Sequence, residues 1–449
     1  MSADLALSFA KIGGSVALLA LVLVGVGMLG RRLKLQPEVS RKTIHVALGL
    51  YCLTFPLVFS AAWEVAAVCL LAGVVFLIAR SAPALGEGLH GVKRYSFGEL
   101  LFALSVALLF YLKDGHYVLA LHGVQSEPQL VLYVLPLLIL TLCDAASALV
   151  GVNYGKTFFA VEDGVKSVEG VVAFVITAWL GALMVLLLLT DLPRADVIVL
   201  ALITALFGAV FEAASWKGLD NLFIPVGLYF ILSNLLPRGL DALLWTTLGF
   251  AVASLVLAGF GMRFGISRHV VASAMSLLLC ITVFAGPLAA LTPCLVFAVY
   301  YAVWREGART EVQHDPLNML ITVLLLALVT FVLSALASLD TILMFNLMYG
   351  CLAAGVVIRM GRFPLVWKLA TLALIIAVSL VRALTEPGWD GLPLFAAAST
   401  GIIAVAAVCA WLLRQWPDRP WIKLGAMSFA LGLLALPLAP AGLTLAGPG

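Results

Sequence analysis

The chain has 449 residues, of which 63% are hydrophobic and only 11% charged, with a mean hydropathy of +1.15. A soluble core has no use for so many separate apolar runs of about 20 residues, the length that crosses a hydrocarbon layer of roughly 30 Å as a helix. The net charge of +3 is small, and no nucleic-acid partner is read from it.

In chain order, the first apolar run, residues 12–30, lacks a small-residue cleavage site and is soon followed by a second. It reads as a retained helix, not a removed signal peptide. A 19-residue hydropathy window carries on in roughly sixteen spans, so the predicted fold class is all-α, a polytopic transmembrane helical bundle. Basic residues alternate between the breaks. Twenty fall in one set, from Arg31 to Lys423, and four (Lys113, Arg194, Arg238 and Arg382) in the other. The positive-inside rule then makes the first set cytoplasmic, with both termini outside. The expectation is a multi-pass protein of a prokaryotic cytoplasmic membrane whose polar clusters face the cytoplasm. The seven cysteines all lie in apolar runs and read as small core residues, not as a disulfide framework or metal site.

Four polar constellations interrupt this pattern. The first is SRKTIHVALG, in which Arg41 and His45 share a helical face at i, i+4 spacing beside Lys42. The cations could serve as topology anchors and His45 as a packing residue; the functional alternative is a phosphate or lipid-headgroup contact. The second is Asp144, which ends a long apolar run and precedes Ala145, Ala146, Ser147 and Ala148, then Gly151 and Gly155. Small residues at this spacing suit a tight helix–helix face, with Asp144 held by a hydroxyl or a lysine. The alternative is a Mg²⁺ ligand, because Mg²⁺ is held by one or two carboxylates plus substrate phosphates.

Lys156, Lys166, Ser167, Glu169 and Gly170 form the third constellation, on the loop into the next span. Ser167 reads as an N-cap with Glu169 in the first helical turn, which leaves the lysines unexplained. A helix start beside two lysines and glycines is an anion-binding pocket for phosphate. The fourth is Glu212 in GAVFEAASWKGLDNLFIPVG, followed by Lys217, Asp220, Asn221 and Pro225. Asp220 could simply cap the next helix, but Glu212 sits inside an apolar span, where an ionisable group is a functional-site hypothesis by default.

These segments resemble the integral-membrane polyprenol kinase family that includes dolichol kinase and phytol kinase. The resemblance rests on RKxxH at 41–45, Asp144 with G-x-x-x-G-K at 151–156, KSxEG at 166–170, and E…G-x-DN…P at 212–225. It covers about residues 30–240, and it implies a CTP-dependent kinase that moves the γ-phosphate to the hydroxyl of an isoprenoid alcohol with a divalent cation. On that resemblance Asp144, Lys166, Glu169 and Asp220 are catalytic, with Glu169 orienting Lys166 or the metal. Mg²⁺ falls to Asp144, Glu212 and Asp220, and CTP to Gly151, Gly155, Lys156, Lys166, Ser167 and Gly170. Arg41, Lys42, His45 and Asn221 contact substrate or phosphate.

The central stretch also resembles phosphatidate cytidylyltransferases, whose downstream Gly-His-Gly-Gly and Asp-Arg signature this chain lacks. Phytol kinases usually show Gly-Asp where this chain has Cys143 and Asp144, and a paired Asp at Leu219 and Asp220. A transporter is the reading from another class, but charges collected at one face do not line a path across a membrane. Residues 1–250 are expected to form the catalytic transmembrane domain. Residues 251–449 form a second one, open between scaffold, homo-oligomer surface, lipid-binding module and second activity, with a solvated loop at 305–315.

Overall fold

The computed structural model describes residues 3–81, 97–113, 130–161, 164–215, 218–264, 268–285, 341–359, 364–385, 392–413 and 420–435, with residue pairs at 322–323, 325–326, 329–330 and 332–333. Lys217, Cys294 and the loop 305–315 lie outside the described residues. Helices form along the apolar runs and stop at polar residues, glycine or proline. α1 (Ala3–Leu33) is followed by α2 (Pro37–Leu53), which opens on a proline whose missing N–H costs nothing in a first turn. A one-turn α3 (Phe55–Val58) leads into α4 (Ala62–Ser81), where Glu64 accepts the N–H groups of Ser60 and Ala61, each at 3.1 Å. α5 (Gly98–Leu112) and α6 (Val131–Tyr154) come next.

α6 is not regular. Pro136 interrupts its ladder, and one π turn, Ile139–Cys143, follows immediately before Asp144. Proline removes a donor and clashes with the preceding turn, and a π turn re-aims every side chain beyond it. A two-stranded antiparallel hairpin, β1 (Phe158–Val161) and β2 (Gly164–Ser167), then joins α6 to α7 (Val168–Leu189). The all-α expectation therefore needs one amendment. The polar loop is short, and its two strands pair in register from Phe158 opposite Ser167 to Val161 opposite Gly164. α8 (Arg194–Ala214), α9 (Asp220–Leu235), α10 (Leu240–Phe264) and α11 (Arg268–Ala285) complete the site-bearing part.

Among the described residues, five helices are long and apolar enough to cross a membrane: Asp4–Gly30, Val131–Tyr154, Val168–Leu189, Arg194–Ala214 and Leu240–Arg263. The count of roughly sixteen spans is not supported. Some hydropathy windows fall on helices of 15 and 16 residues, Gly98–Leu112 and Asp220–Leu235. At 1.5 Å per residue, a 15-residue helix rises only about 22 Å, short of the roughly 30 Å layer. The membrane character itself stands on the long helices.

The two most enclosed long helices are α6, 61% buried, and α8, 67% buried, against 6% for α10. They carry Asp144 and Glu212, so the acids lie inside the bundle and not toward lipid. Aromatic side chains fill the space between α7, α8 and α9, among them the fully buried Phe174, Phe207, Phe211 and Phe223. By internal contacts the chain divides into two units that change over between Ala272 and Ser273. Residue 250, the boundary expected from sequence, lies inside α10. In the second unit α12 (Thr341–Arg359) packs on α13 (Leu365–Thr385), α14 (Leu392–Leu413) and α15 (Pro420–Ala435). Its core joins Cys351, Ala354, Ala406 and Ala407 around Ile403, small residues that let helix backbones approach closely.

Candidate active site

Lys42 lies on the inner face of α2, only 5% exposed, and its Nζ donates to Oδ2 of Asp144 at 2.6 Å. His45, one turn further along α2, brings Nε2 to 3.6 Å from the same oxygen and to 3.1 Å from the carbonyl of Leu140. A carbonyl only accepts, so that nitrogen carries the ring proton. Leu140 belongs to the π turn, where the helix ladder is loosened and a carbonyl can turn to a side chain. Phe102 of α5 packs edge-on to the His45 ring at 5.2 Å between centroids and holds its plane. Arg41 takes a different partner: its guanidinium makes two bonds to Glu38, at 2.6 and 3.2 Å, while still bordering the same cleft.

The second wall comes from β2, α8 and α9. Lys166 donates to Oε1 of Glu212 at 2.9 Å and also to the Glu212 backbone carbonyl. Burial works against its charge, but the Glu212 and Asp220 carboxylates offset this and hold the ammonium above its ordinary range, so it is a cation at neutral pH. Asp220 opens α9 after Gly218, whose φ of 85° lies in the left-handed region that glycine adopts at little cost. Carboxylate oxygens of Asp144, Glu212 and Asp220 all lie within 4.8 Å of one another. Like charges this close are unfavourable without cations between them, and Lys42 and Lys166 supply two.

Two oxygens at this point stand out. Oε2 of Glu212 and Oδ1 of Asn221 are buried and find no hydrogen-bond partner among the described residues. A buried acceptor left unpaired costs about 1–3 kcal/mol, so such atoms in a cluster of carboxylates are a donor set that a cation would satisfy. Hard oxygen donors of this kind suit Mg²⁺. The cleft beside them is two-sided. Arg41, Lys42, His45, Glu99, Asp144, Asp220 and Asn221 line its polar part, and Ile44, Leu48, Phe76 and Phe102 the apolar part.

The residues expected to hold nucleotide are placed differently. Gly151 of α6 and Gly170 of α7 meet where the two helices cross. A Cβ on Gly170 would stand 2.8 Å from the Ser147 carbonyl and 3.4 Å from the Cα of Gly151. Close helix packing accounts for both glycines. Gly155 is as tightly enclosed, against the Gly151 carbonyl, Phe158 and Ser167. Ser167 caps α7, its hydroxyl accepting the Gly170 N–H at 3.0 Å, so one of the free donors at that helix start is already taken. Lys156 is exposed beside the hairpin. Glu169 does not turn to Lys166, as was expected; its carboxylate accepts the Thr157 N–H at 3.1 and 3.2 Å and braces the loop into β1.

Sequence reasoning missed Lys42 as the direct partner of Asp144, because the pair spans 102 residues. It also passed over Ser105, a lone hydroxyl in the apolar run LLFALSVALLFYL, which donates to the Asn221 carbonyl at 2.7 Å. A single serine in so apolar a helix was the available signal.

Fold and site together define a membrane helical bundle with a carboxylate and lysine centre gathered at one end of its helices. The chain is 30% identical over 197 residues to a phytol kinase of Synechocystis sp., a match covering 44% of this chain and 79% of that relative. It belongs to the polyprenol and phytol kinase family. No family model and no solved structure matches it.

Proposed function

We propose that the chain is a CTP-dependent kinase that phosphorylates the hydroxyl of an isoprenoid alcohol at the cytoplasmic membrane face. The observation that carries this reading is the convergence of Asp144, Glu212 and Asp220 within 4.8 Å, with Lys42 and Lys166 attached, beside a cleft that also has an apolar wall of Ile44, Leu48, Phe76 and Phe102. The family relative's name, phytol kinase, supports an isoprenoid alcohol as acceptor.

Asp144, Glu212 and Asp220 would hold Mg²⁺, which when bound neutralises phosphate charge. Phosphoryl transfer asks little covalent chemistry of the protein, and positioning and charge do most of it. Lys166 and Lys42 are cationic donors at the right place to hold phosphate oxygens. Asp220, the most solvent-accessible of the three acids, accepts the alcohol proton as the hydroxyl oxygen attacks the γ-phosphorus. A P–O bond forms to the alcohol, the bond from the γ-phosphorus to the β,γ-bridging oxygen breaks, and CDP leaves with that oxygen. The tail lies along Ile44, Leu48, Phe76 and Phe102, where each buried methylene contributes about 0.8 kcal/mol.

The test supplies purified protein with Mg²⁺, γ-labelled CTP or ATP, and a panel of prenols and phosphatidic acid. Label in the prenol with CTP is the expected result. Pyrophosphate released with phosphatidic acid, or no nucleotide turnover with any lipid, overturns the reading.

A further inference from the structure

We propose that Ser105 is a positioning residue for the proposed phosphotransfer, setting the first turn of α9 and with it Asp220 and Asn221. The inference deepens the kinase reading and rests on it for the chemistry, but not for the geometry.

The reason lies in Pro225. In a regular helix the Asn221 carbonyl accepts the N–H of residue 225, and proline has none. The carbonyl belongs to a buried residue, so water is a poor substitute. Ser105, fully buried on α5, donates its hydroxyl to that oxygen at 2.7 Å. A second bond ties the same two helices further along, from the Tyr229 hydroxyl to the Leu112 carbonyl at 3.0 Å. α5 and α9 are thus pinned at two heights, and the Ser105 bond is the one at the carboxylates. The turn it holds contains Asp220, within 4.8 Å of Asp144 and Glu212, and Asn221, whose Oδ1 has no partner among the described residues. The first turn of α9 is therefore anchored by a neighbouring helix, because its own ladder is broken there.

Pro225 also provides the test. In Ser105→Ala the Asn221 carbonyl loses its donor. We expect kcat with the best prenol to fall about tenfold or more, and the Mg²⁺ concentration for half-maximal rate to rise. Ser105→Thr keeps a hydroxyl and should stay within about threefold of wild type. The decisive variant is the double change Ser105→Ala with Pro225→Ala, which returns an N–H to residue 225 and lets the helix close its own bond. Recovery of rate in the double variant is expected. A role for Ser105 in packing alone predicts no recovery, and that outcome overturns the proposal, as does a folded Ser105→Ala protein with wild-type rate and Mg²⁺ requirement.

Amide hydrogen exchange of residues 221–228 supplies a readout that needs no activity. Exchange should quicken in Ser105→Ala and slow again in the double variant. If wild-type protein phosphorylates no alcohol while exchange follows this order, the kinase reading fails and the positioning of α9 stands. Unchanged exchange across the series rejects the positioning itself.

Discussion

Lys42 and Asp144 form a buried pair with side chains only 5% and 4% exposed, and their energetics follow from that burial. An enclosed ion pair contributes little net stability against apolar replacements, but removing one partner strands the other charge at a cost of about 3–5 kcal/mol. Lys42→Met should therefore lower the thermal unfolding midpoint in detergent markedly, and adding Asp144→Asn should restore much of it. Equal midpoints for wild type and Lys42→Met would show that the pair is not enclosed. Asp144→Asn alone should abolish transfer in either background, since the carboxylate is one of three in the proposed cation site. The sequence marked Asp144 as costly in an apolar run, and a lysine as one of its candidate partners. Which lysine could not be read, because Arg41 and His45 share the more obvious spacing while Lys42 and His45 face the acid.

At the scale of elements, the crossing of α6 and α7 separates two meanings of a glycine. The G-x-x-x-G-K and KSxEG segments read from sequence as a phosphate cradle, and the structure gives Gly151 and Gly170 a packing role at that crossing. Gly170→Ala would press a Cβ to 2.8 Å from the Ser147 carbonyl, and the helices would have to part. Overpacking of this kind costs about 1–3 kcal/mol. The expected result is a lower unfolding midpoint with the KM for nucleotide within about threefold of wild type. A large rise in that KM at unchanged stability would return Gly170 to the nucleotide site. The π turn before Asp144 belongs to the same scale. Pro136 is visible in the sequence, but the extra residue that rotates Asp144 toward α2 is decided by packing, since an α ladder was equally open to ILTLC.

For the molecule as a whole, the long apolar helices carry the membrane character, and the polar site sits where α2, α5 and α9 start and α8 ends. The cytoplasmic orientation expected from the bias of basic residues has a direct check. Thr157 is exposed next to the hairpin, so a Thr157→Cys variant should react with a membrane-impermeant maleimide only when the cytoplasmic side is open to the reagent. Labelling of intact cells would reverse the topology. By itself the sequence determined the membrane class, the predominance of helix and the family, because hydropathy, charge and motif spacing are local properties of a chain. It also named the three acids as one set, through ordered motifs. Tertiary structure alone decided how many of the described helices are long enough to span, that the polar loop after α6 folds as a hairpin, and that Lys42 pairs with Asp144, Lys166 with Glu212 and Ser105 with the α9 turn. Each of those depends on where a helix ends in space or on a contact between distant segments, and neither is written in the order of residues along one helix.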